Sequence, residues 1–124
     1  MTTALGNRAH IVVRPEFREE LTKCFAHVLG CGLPLTLGPE GGSNPIIAFR
    51  FPAGGSVSVE FSTDALHGRD LRRGAWLEVR TDDIDALRQR IVDAGLEQVK
   101  HAATRTFYFV VPGGQVIGLA SVDQ

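Results

Sequence analysis

The stretch VVPGGQVIGLAS, residues 110–121, predicts a tight glycine turn followed by the last strand of the chain. Gly118 lies inside that strand, where each neighbouring residue has a side chain to pack. A glycine in a strand interior indicates a bulge or the close approach of another part of the protein. The strand therefore contains one position, Gly118, that its own pattern does not explain.

The chain contains two copies of one plan. Strand-like runs at 10–14 and 76–80 are each followed by apolar residues at helical spacing. Pro15 and Gly30 mark the ends of the first predicted helix, and Gly95 ends the second, which Asp82 or Thr81 is expected to cap. The apolar stripes are Phe17, Leu21, Cys24, Phe25 and Val28 in the first helix and Ile84, Leu87 and Ile91 in the second.

Each helical segment is followed by paired strand-like runs around a glycine turn. These runs are 46–51 and 56–61 around PAGG, and 106–111 and 115–120 around PGG. Each half therefore predicts a β-α-β-β-β order, and the fold class is α+β. We expect a single domain over 1–124, with module one at about 8–62, a linker at 63–74 and module two at about 75–121.

Composition restricts the classes of partner. The formal net charge of the 124 residues is −1, and no basic stripe interleaves with aromatic residues, so we expect no nucleic-acid partner. No apolar run approaches the ~20 residues that span a bilayer, and the first nine residues lack the apolar core of a signal peptide. We therefore expect no membrane partner and a cytoplasmic location, with Cys24 and Cys31 as reduced thiols.

Two polar stretches are predicted to be connectors. Residues 62–74, STDALHGRDLRRG, contain a charge run that is typical of a solvated linker. Residues 38–45, GPEGGSNP, contain glycines and prolines that exclude a regular element. That loop either covers a pocket or only connects the second and third strands, and we favour connection.

Two β-α-β-β-β halves joined by a short linker resemble the vicinal oxygen chelate superfamily, which includes glyoxalase I, extradiol dioxygenases, fosfomycin-resistance proteins and bleomycin-binding proteins. The resemblance covers about residues 10–121, and its most specific part is TFYFVVPGGQVIGL. Val111 and Gly113 stand where that family's turn usually has acids. The resemblance implies an open, cup-shaped mixed sheet with the helices outside. It also implies a homodimer, with modules that pair either within one chain or between two chains.

Strand alternation separates an apolar face from a mixed face in four strands. We expect the apolar face to pack under the helices and the mixed face to line the cup. The residues expected under the helices are Ile11, Val13, Val57, Val59, Phe61, Leu77, Val79, Phe107 and Phe109. Those expected in the cup are His10, Val12, Arg14, Ser56, Ser58, Glu60, Trp76, Glu78, Arg80, Thr106, Tyr108 and Val110.

The family's metal-dependent members carry ligands on the first and last strands of each half, and the resemblance puts these positions at His10, Glu60, Trp76 and Gly118. Imidazole and carboxylate suit a divalent ion, whereas the indole N–H offers no lone pair and glycine offers no side chain. No metal cofactor is therefore favoured. A divalent metal, if bound, would need His10 and Glu60 together with a further donor; Glu78 is the better candidate and His101 the weaker.

The cup is instead expected to bind a small organic molecule. Trp76 and Tyr108 would offer flat rings with polar tips beside open space at Gly118, and Arg50 would pair with Glu60 from the neighbouring strand. The expected ligand-binding residues are His10, Arg50, Glu60, Trp76, Glu78, Thr106, Tyr108 and Gly118. Two other interpretations stay open, in which the aromatic rings fill the cup as core and His10 only starts a strand.

The resemblance thus predicts a metal-independent binding protein of the glyoxalase/bleomycin-resistance type that sequesters a toxic aromatic or drug-like compound. One alternative is a divalent-metal-dependent lyase, thiol transferase or dioxygenase with an altered ligand set. Another is a metal-free acid–base enzyme in which an enclosed Glu60 or Glu78 has a raised pKa and acts with His10. A third is a dimerisation module without a pocket. No catalytic residue is assigned.

Overall fold

The structure, a computed structural model, describes residues 1–38, 44–101, 103 and 105–122. Module one contains β1 (Arg8–Val13), α1 (Arg18–Lys23), β2 (Leu35–Leu37), β3 (Ile46–Arg50) and β4 (Ser56–Phe61). Module two contains β5 (Leu77–Thr81), α2 (Ile84–Asp93), β6 (Gln98–Val99), β7 (Tyr108–Val110) and β8 (Val116–Ser121). The strand orders are β1-β4-β3-β2 and β5-β8-β7-β6, with the first pair of each sheet parallel and the others antiparallel. The predicted α+β fold with two βαβββ modules is confirmed.

The first helical segment changes its winding along its length. It begins with a 3₁₀ turn (Pro15–Phe17), continues as α1 and ends in a π-helical turn (Cys24–Val28). The wider π turn places three consecutive residues, Cys24, Phe25 and Ala26, in buried positions. The Phe25 ring stacks on Phe49 of β3 with centroids 4.9 Å apart, so this turn anchors the helix to its sheet. Gly30 follows the helix with a φ of +79°, as its position predicts.

The cap of α2 differs from the prediction by one residue. Asp83 Oδ1 accepts the backbone N–H of Ala86 over 3.0 Å, while Thr81 Oγ1 accepts the N–H of Asp83. Thr81 is still the last residue of β5, so the chain needs the two aspartates to turn before the helix can begin. The helix ends at Asp93, and Gly95, which has a φ of +73°, follows its C-cap residue Ala94.

The hydrophobic core lies between the sheets and the helices and includes residues of both modules. Most of the side chains expected under the helices are buried, and Leu77, Val79 and Phe107 are partly buried against the same cluster. Each large apolar side chain that is fully buried contributes roughly 1.5–3 kcal/mol relative to exposure. Alternation therefore predicted correctly which face of each sheet is buried.

The linker contains a structured element, which its turn-rich composition did not predict, while its charged residues Arg69, Asp70 and Arg73 are exposed, as expected of a solvated linker. Residues Gly68–Arg73 form a 3₁₀ helix, which we call the linker helix. Ala65 is buried, and its carbonyl oxygen accepts a hydrogen bond from Arg14 Nε over 3.2 Å. Leu71 packs so closely on the PGG turn that a Cβ at Gly114 would lie 2.8 Å from its Cδ1. These two apolar residues fold the segment onto the core despite its many charges.

The loop predicted at 38–45 is described only in part. Residues 39–43 of the loop at 38–45 lie outside the described residues, so whether that loop covers a pocket stays a prediction.

Cys24 and Cys31 are both free thiols, as expected, with Cys24 buried and Cys31 half-buried. Among the helices that the structure describes, none is long and apolar enough to cross a membrane.

Candidate functional site

The face of the first sheet turned away from α1, which we call the open face of module one, is defined by three rows of cross-strand partners. Side chains of directly paired residues lie on the same side of a sheet. The rows are Arg50–Ser56–Arg8, then Leu35–Ala48–Ser58–His10, then Leu37–Ile46–Glu60–Val12. The face is thus apolar at its β2 edge and polar toward β1. Leu35 and Leu37 of the edge strand β2 are each 48% exposed, so this face carries two neighbouring exposed apolar side chains.

A chain of hydrogen bonds crosses this face from β4 to β1 and back. The Ser58 hydroxyl lies 2.6 Å from His10 Nδ1, and His10 Nε2 lies 3.1 Å from Glu60 Oε1. When the imidazole is neutral, its Nε2–H donates to Glu60 and its Nδ1 accepts the Ser58 O–H. Asn44 Nδ2 donates to the other carboxylate oxygen, Glu60 Oε2, over 2.9 Å. The side chains of His10 and Glu60 are 45% and 29% exposed, so these hydrogen-bonded groups are accessible to a ligand.

The carboxylate of Glu60 is held in its ionised form. The hydrogen bonds from Asn44 and then His10 lower its pKa from the ordinary value of a glutamate. The lowered pKa argues against the alternative in which a raised pKa lets Glu60 act with His10 in acid–base catalysis.

Arg50 does not pair with Glu60, which corrects that prediction. Arg50 lies opposite Ser56, whereas Glu60 lies opposite Ile46, four residues along β3. Four residues of an antiparallel strand span about 13 Å, and the Glu60 carboxylate is paired with His10 and Asn44 instead. Both residues are on the expected face, but alternation alone does not specify the register between β3 and β4. Asn44, the actual partner of Glu60, comes from a loop and has no periodic signal in the sequence.

The corresponding face of module two is closed by its own aromatic side chains. The ring of Tyr108 lies over Gly118, and it contacts Trp76 edge-on with centroids 5.0 Å apart. His101 contacts the rings of both Trp76 and Tyr108. Gly118 and Val116 are buried, although both lie on the side of β8 opposite the core cluster. The open space expected beside Gly118 is therefore filled by Tyr108, as the core-filling interpretation proposed.

Polar side chains of module two already have hydrogen-bond partners in module two or in the linker. The Trp76 indole N–H donates to the carbonyl oxygen of Arg72 in the linker helix over 2.9 Å, so it is not the polar tip expected for a ligand. Glu78 accepts a hydrogen bond from Arg80 Nε over 3.2 Å. The Cγ2 methyl of Thr106 lies 3.2 Å from where a Cβ at Gly118 would be, so Thr106 borders the same filled space.

The residues at the four positions of the expected metal set do not fit a metal ion. The register bears out the alignment, because Val12 pairs with Glu60 as Glu78 pairs with Gly118, which makes His10 equivalent to Trp76. Only His10 and Glu60 carry donors, and Trp76 uses its N–H on Arg72. Within the described residues, no three His, Cys, Asp or Glu side chains are grouped to hold a metal, so Glu78 and His101 do not complete the set.

A groove lies beside the open face of module one, between β1 and the start of β5. Its volume is about 460 Å³, within the range of sites for small organic molecules. It is lined by His10 and Val12 of β1, Asp64 and Leu66 of the linker, and Leu77 of β5, among others. The groove thus extends the polar end of the open face toward module two.

Comparison with solved structures shows that the chain has the fold of the vicinal oxygen chelate superfamily. A glyoxalase family protein from Bacillus anthracis is similar with a TM-score of 0.69 and 13% identity, covering 98% of each chain. The fosfomycin resistance protein FosX from Listeria monocytogenes is similar with a TM-score of 0.69 and 15% identity over 96% of this chain and 91% of its own. The antibiotic-binding protein TnmS3 from Streptomyces sp. CB03234 gives a TM-score of 0.62 and 21% identity over 98% of each chain.

Comparisons by sequence give no relative. No protein-family model matches the chain, and no curated protein matches it either. Identities of 13–21% to the solved structures establish the shared fold and leave the chemistry to be argued from this chain's own residues.

Proposed function

We propose that this protein binds a small, partly apolar organic molecule on the open face of module one, without a metal. The observation that carries the proposal is the combination of two half-exposed leucines, Leu35 and Leu37, with the hydrogen-bonded chain of Ser58, His10 and Glu60 on one face. Exposed apolar side chains beside a few fixed polar groups are typical of ligand sites.

The polar chain would orient the ligand. Glu60 is ionised, and its two oxygens keep acceptor positions beyond the hydrogen bonds from His10 and Asn44, so it can accept a hydrogen bond from a ligand. Both ring nitrogens of His10 are engaged, so His10 holds the Glu60 carboxylate in place. Trp76 and Tyr108 keep a place in the proposal as half-buried rings of module two. Thr106, Glu78 and Gly118 have smaller parts, because they border space that Tyr108 fills or have partners of their own.

The similar structures suggest what such binding is for. One of them is an antibiotic-binding protein and another is a fosfomycin resistance protein. We propose that this chain likewise sequesters a toxic or drug-like compound. The homodimer and the cytoplasmic location stay predictions from the sequence and its resemblance, and sedimentation equilibrium would test the first.

The test is a binding screen that monitors thermal unfolding and the emission of the sole tryptophan, Trp76, against aromatic natural products and drugs. We expect some compounds to raise the unfolding temperature, and Leu37→Ser and His10→Ala to weaken those compounds. Val92→Ser is the matched control, because Val92 is also an exposed apolar residue but lies on α2. Hits that bind all three variants as well as the wild type would refute this location.

The metal-dependent alternative is tested separately. Purified protein is analysed for metal content and titrated with Zn²⁺, Ni²⁺, Mn²⁺ and Fe²⁺. Stoichiometric metal that disappears in both His10→Ala and Glu60→Ala would favour the lyase, thiol transferase or dioxygenase. We expect no such stoichiometry, because only two donors are in place.

A further inference from the structure

One end of the open face of module one carries two arginines. Arg8 and Arg50 flank Ser56 in a single cross-strand row, and both are exposed. Two strand spacings put their Cα atoms about 10 Å apart, so both guanidinium groups can reach an atom above Ser56. Neither guanidinium has an ion-pair or hydrogen-bond partner within the part of the chain that the structure describes.

Arg8 and Arg50 lie on β1 and β3 with β4 between them, so two like charges share one row of this face without a carboxylate in that row. Like charges at this separation repel each other weakly in water, and salt screens the repulsion. Other arginines have partners, such as Arg80 with Glu78 and Arg72 with Glu97. The ionised Glu60 lies at the opposite end of the face, about 13 Å along the strands, where it cannot neutralise the pair. An anion above Ser56 would relieve the repulsion and accept hydrogen bonds from both guanidinium groups.

The charge and the apolar surface are spaced to suit one molecule. The leucines lie on β2, one strand spacing from β3, and they follow the arginine row by about 7 Å (Leu35) and about 13 Å (Leu37) along the strands. We propose that Arg8 and Arg50 bind the oxyanion group of an organic acid whose apolar body lies on Leu35, Leu37 and Ile46. This inference rests on the proposed function and assigns its ligand to a chemical class, an amphipathic organic anion.

Two fluorescent probes with one aromatic body test the class. The anionic probe is 8-anilinonaphthalene-1-sulfonate, and the neutral probe is N-phenyl-1-naphthylamine, which lacks the sulfonate. At low ionic strength we expect the folded protein to bind the sulfonate about tenfold more tightly than the neutral probe. Added salt should reduce the difference, because exposed charges are screened.

Variants then separate the charge from the apolar surface. In Arg8→Gln/Arg50→Gln we expect the sulfonate to bind no better than the neutral probe, whose affinity should stay unchanged. Arg90→Gln, an exposed arginine on α2, is the matched control and should change neither affinity. In Leu35→Ser/Leu37→Ser we expect both probes to bind more weakly. Circular dichroism and unfolding curves confirm that each variant is folded.

The outcomes distinguish the two proposals. If the wild type binds neither probe, or the leucine variant binds both normally, the proposed function at this face is wrong, and the arginine site with it. If both probes bind equally and the arginine variant binds both normally, the arginine site alone is wrong. If the folded arginine variant has its affinity for both probes reduced to the same extent, the arginines do not distinguish the anionic probe from the neutral one, and the assignment to an organic anion fails.

Discussion

Tyr108 and Gly118 are direct cross-strand partners, and the tyrosine ring occupies the space that a side chain at 118 would need. A Cβ built on Gly118 would lie 2.7 Å from Tyr108 Cε1 and 2.9 Å from Cδ1. An aromatic ring laid over a glycine on the neighbouring strand is a recurrent device in β-sheets. The close approach of the Tyr108 ring thus explains the glycine in the strand interior. Because the ring fills this space, the absence of a carboxylate at position 118 of the expected metal set leaves no cavity.

Gly118→Ala should destabilise the protein. The added methyl overlaps the ring, and overpacking of this kind costs about 1–3 kcal/mol in free energy of unfolding. Urea unfolding measures the effect. Gly6→Ala is the control, because nothing lies within 4 Å of a Cβ there. Tyr108→Ala should remove the clash, so the double variant should lose less than the sum of the two single variants. Equal stability of Gly118→Ala and wild type would contradict the packing described above.

Asn44→Ala should raise the pKa of Glu60 toward the ordinary value. The Asn44 amide is the largest cause of the lowered pKa, and His10 is the next. Because the pKa is lower in the folded state, the stabilisation is present above the unfolded-state pKa and is lost as the pH falls through the folded-state pKa. A carbon-detected NMR titration of the Glu60 carboxyl group measures the shift. Gln98→Ala, an exposed amide on β6, should leave it unchanged; an unaltered pKa in Asn44→Ala would count against the hydrogen bond.

Asp83→Ala should weaken α2 while Asp82→Ala should not. Asp83 accepts the N–H of Ala86, and loss of such a cap costs about 1 kcal/mol. Asp82 is also exposed and one residue away, so the two variants share the same change in charge. Chemical denaturation of both variants compares them. Equal losses would show that the cap is not specific to Asp83.

The two thiols should react slowly in the native protein. Burial raises the pKa of Cys24 to about 12 and that of Cys31 to about 11, so few thiolates exist at pH 8. We expect slow reaction with a disulfide reagent at pH 8, first at the half-buried Cys31, and fast reaction of both thiols in guanidinium. Cys24→Ser and Cys31→Ser assign the two phases. A fast native phase from Cys24 would mean that the π-helical turn opens readily.

Local pattern determined a large part of the architecture. The period of two in β1 and β4 and the spacing of Leu21, Phe25 and their neighbours predicted the element order and the buried faces, because burial on one side imposes those periods on any sequence. The alignment of His10 with Trp76 and of Glu60 with Gly118 also agrees with the observed register. These features depend on residues close in sequence or on a plan that the chain repeats.

The residues that build the candidate site were decided by tertiary structure. Only the pairing of β3 and β1 with β4 separates Arg50 from Glu60 and places it in one row with Arg8, on the other side of Ser56, because alternation gives a face but no position along the partner strand. Only the packed molecule shows that Tyr108 fills the space at Gly118, since side chains from different strands compete for one volume. The sequence alone thus determined the fold and its two faces, and long-range register and packing decided that one face is closed and the other open.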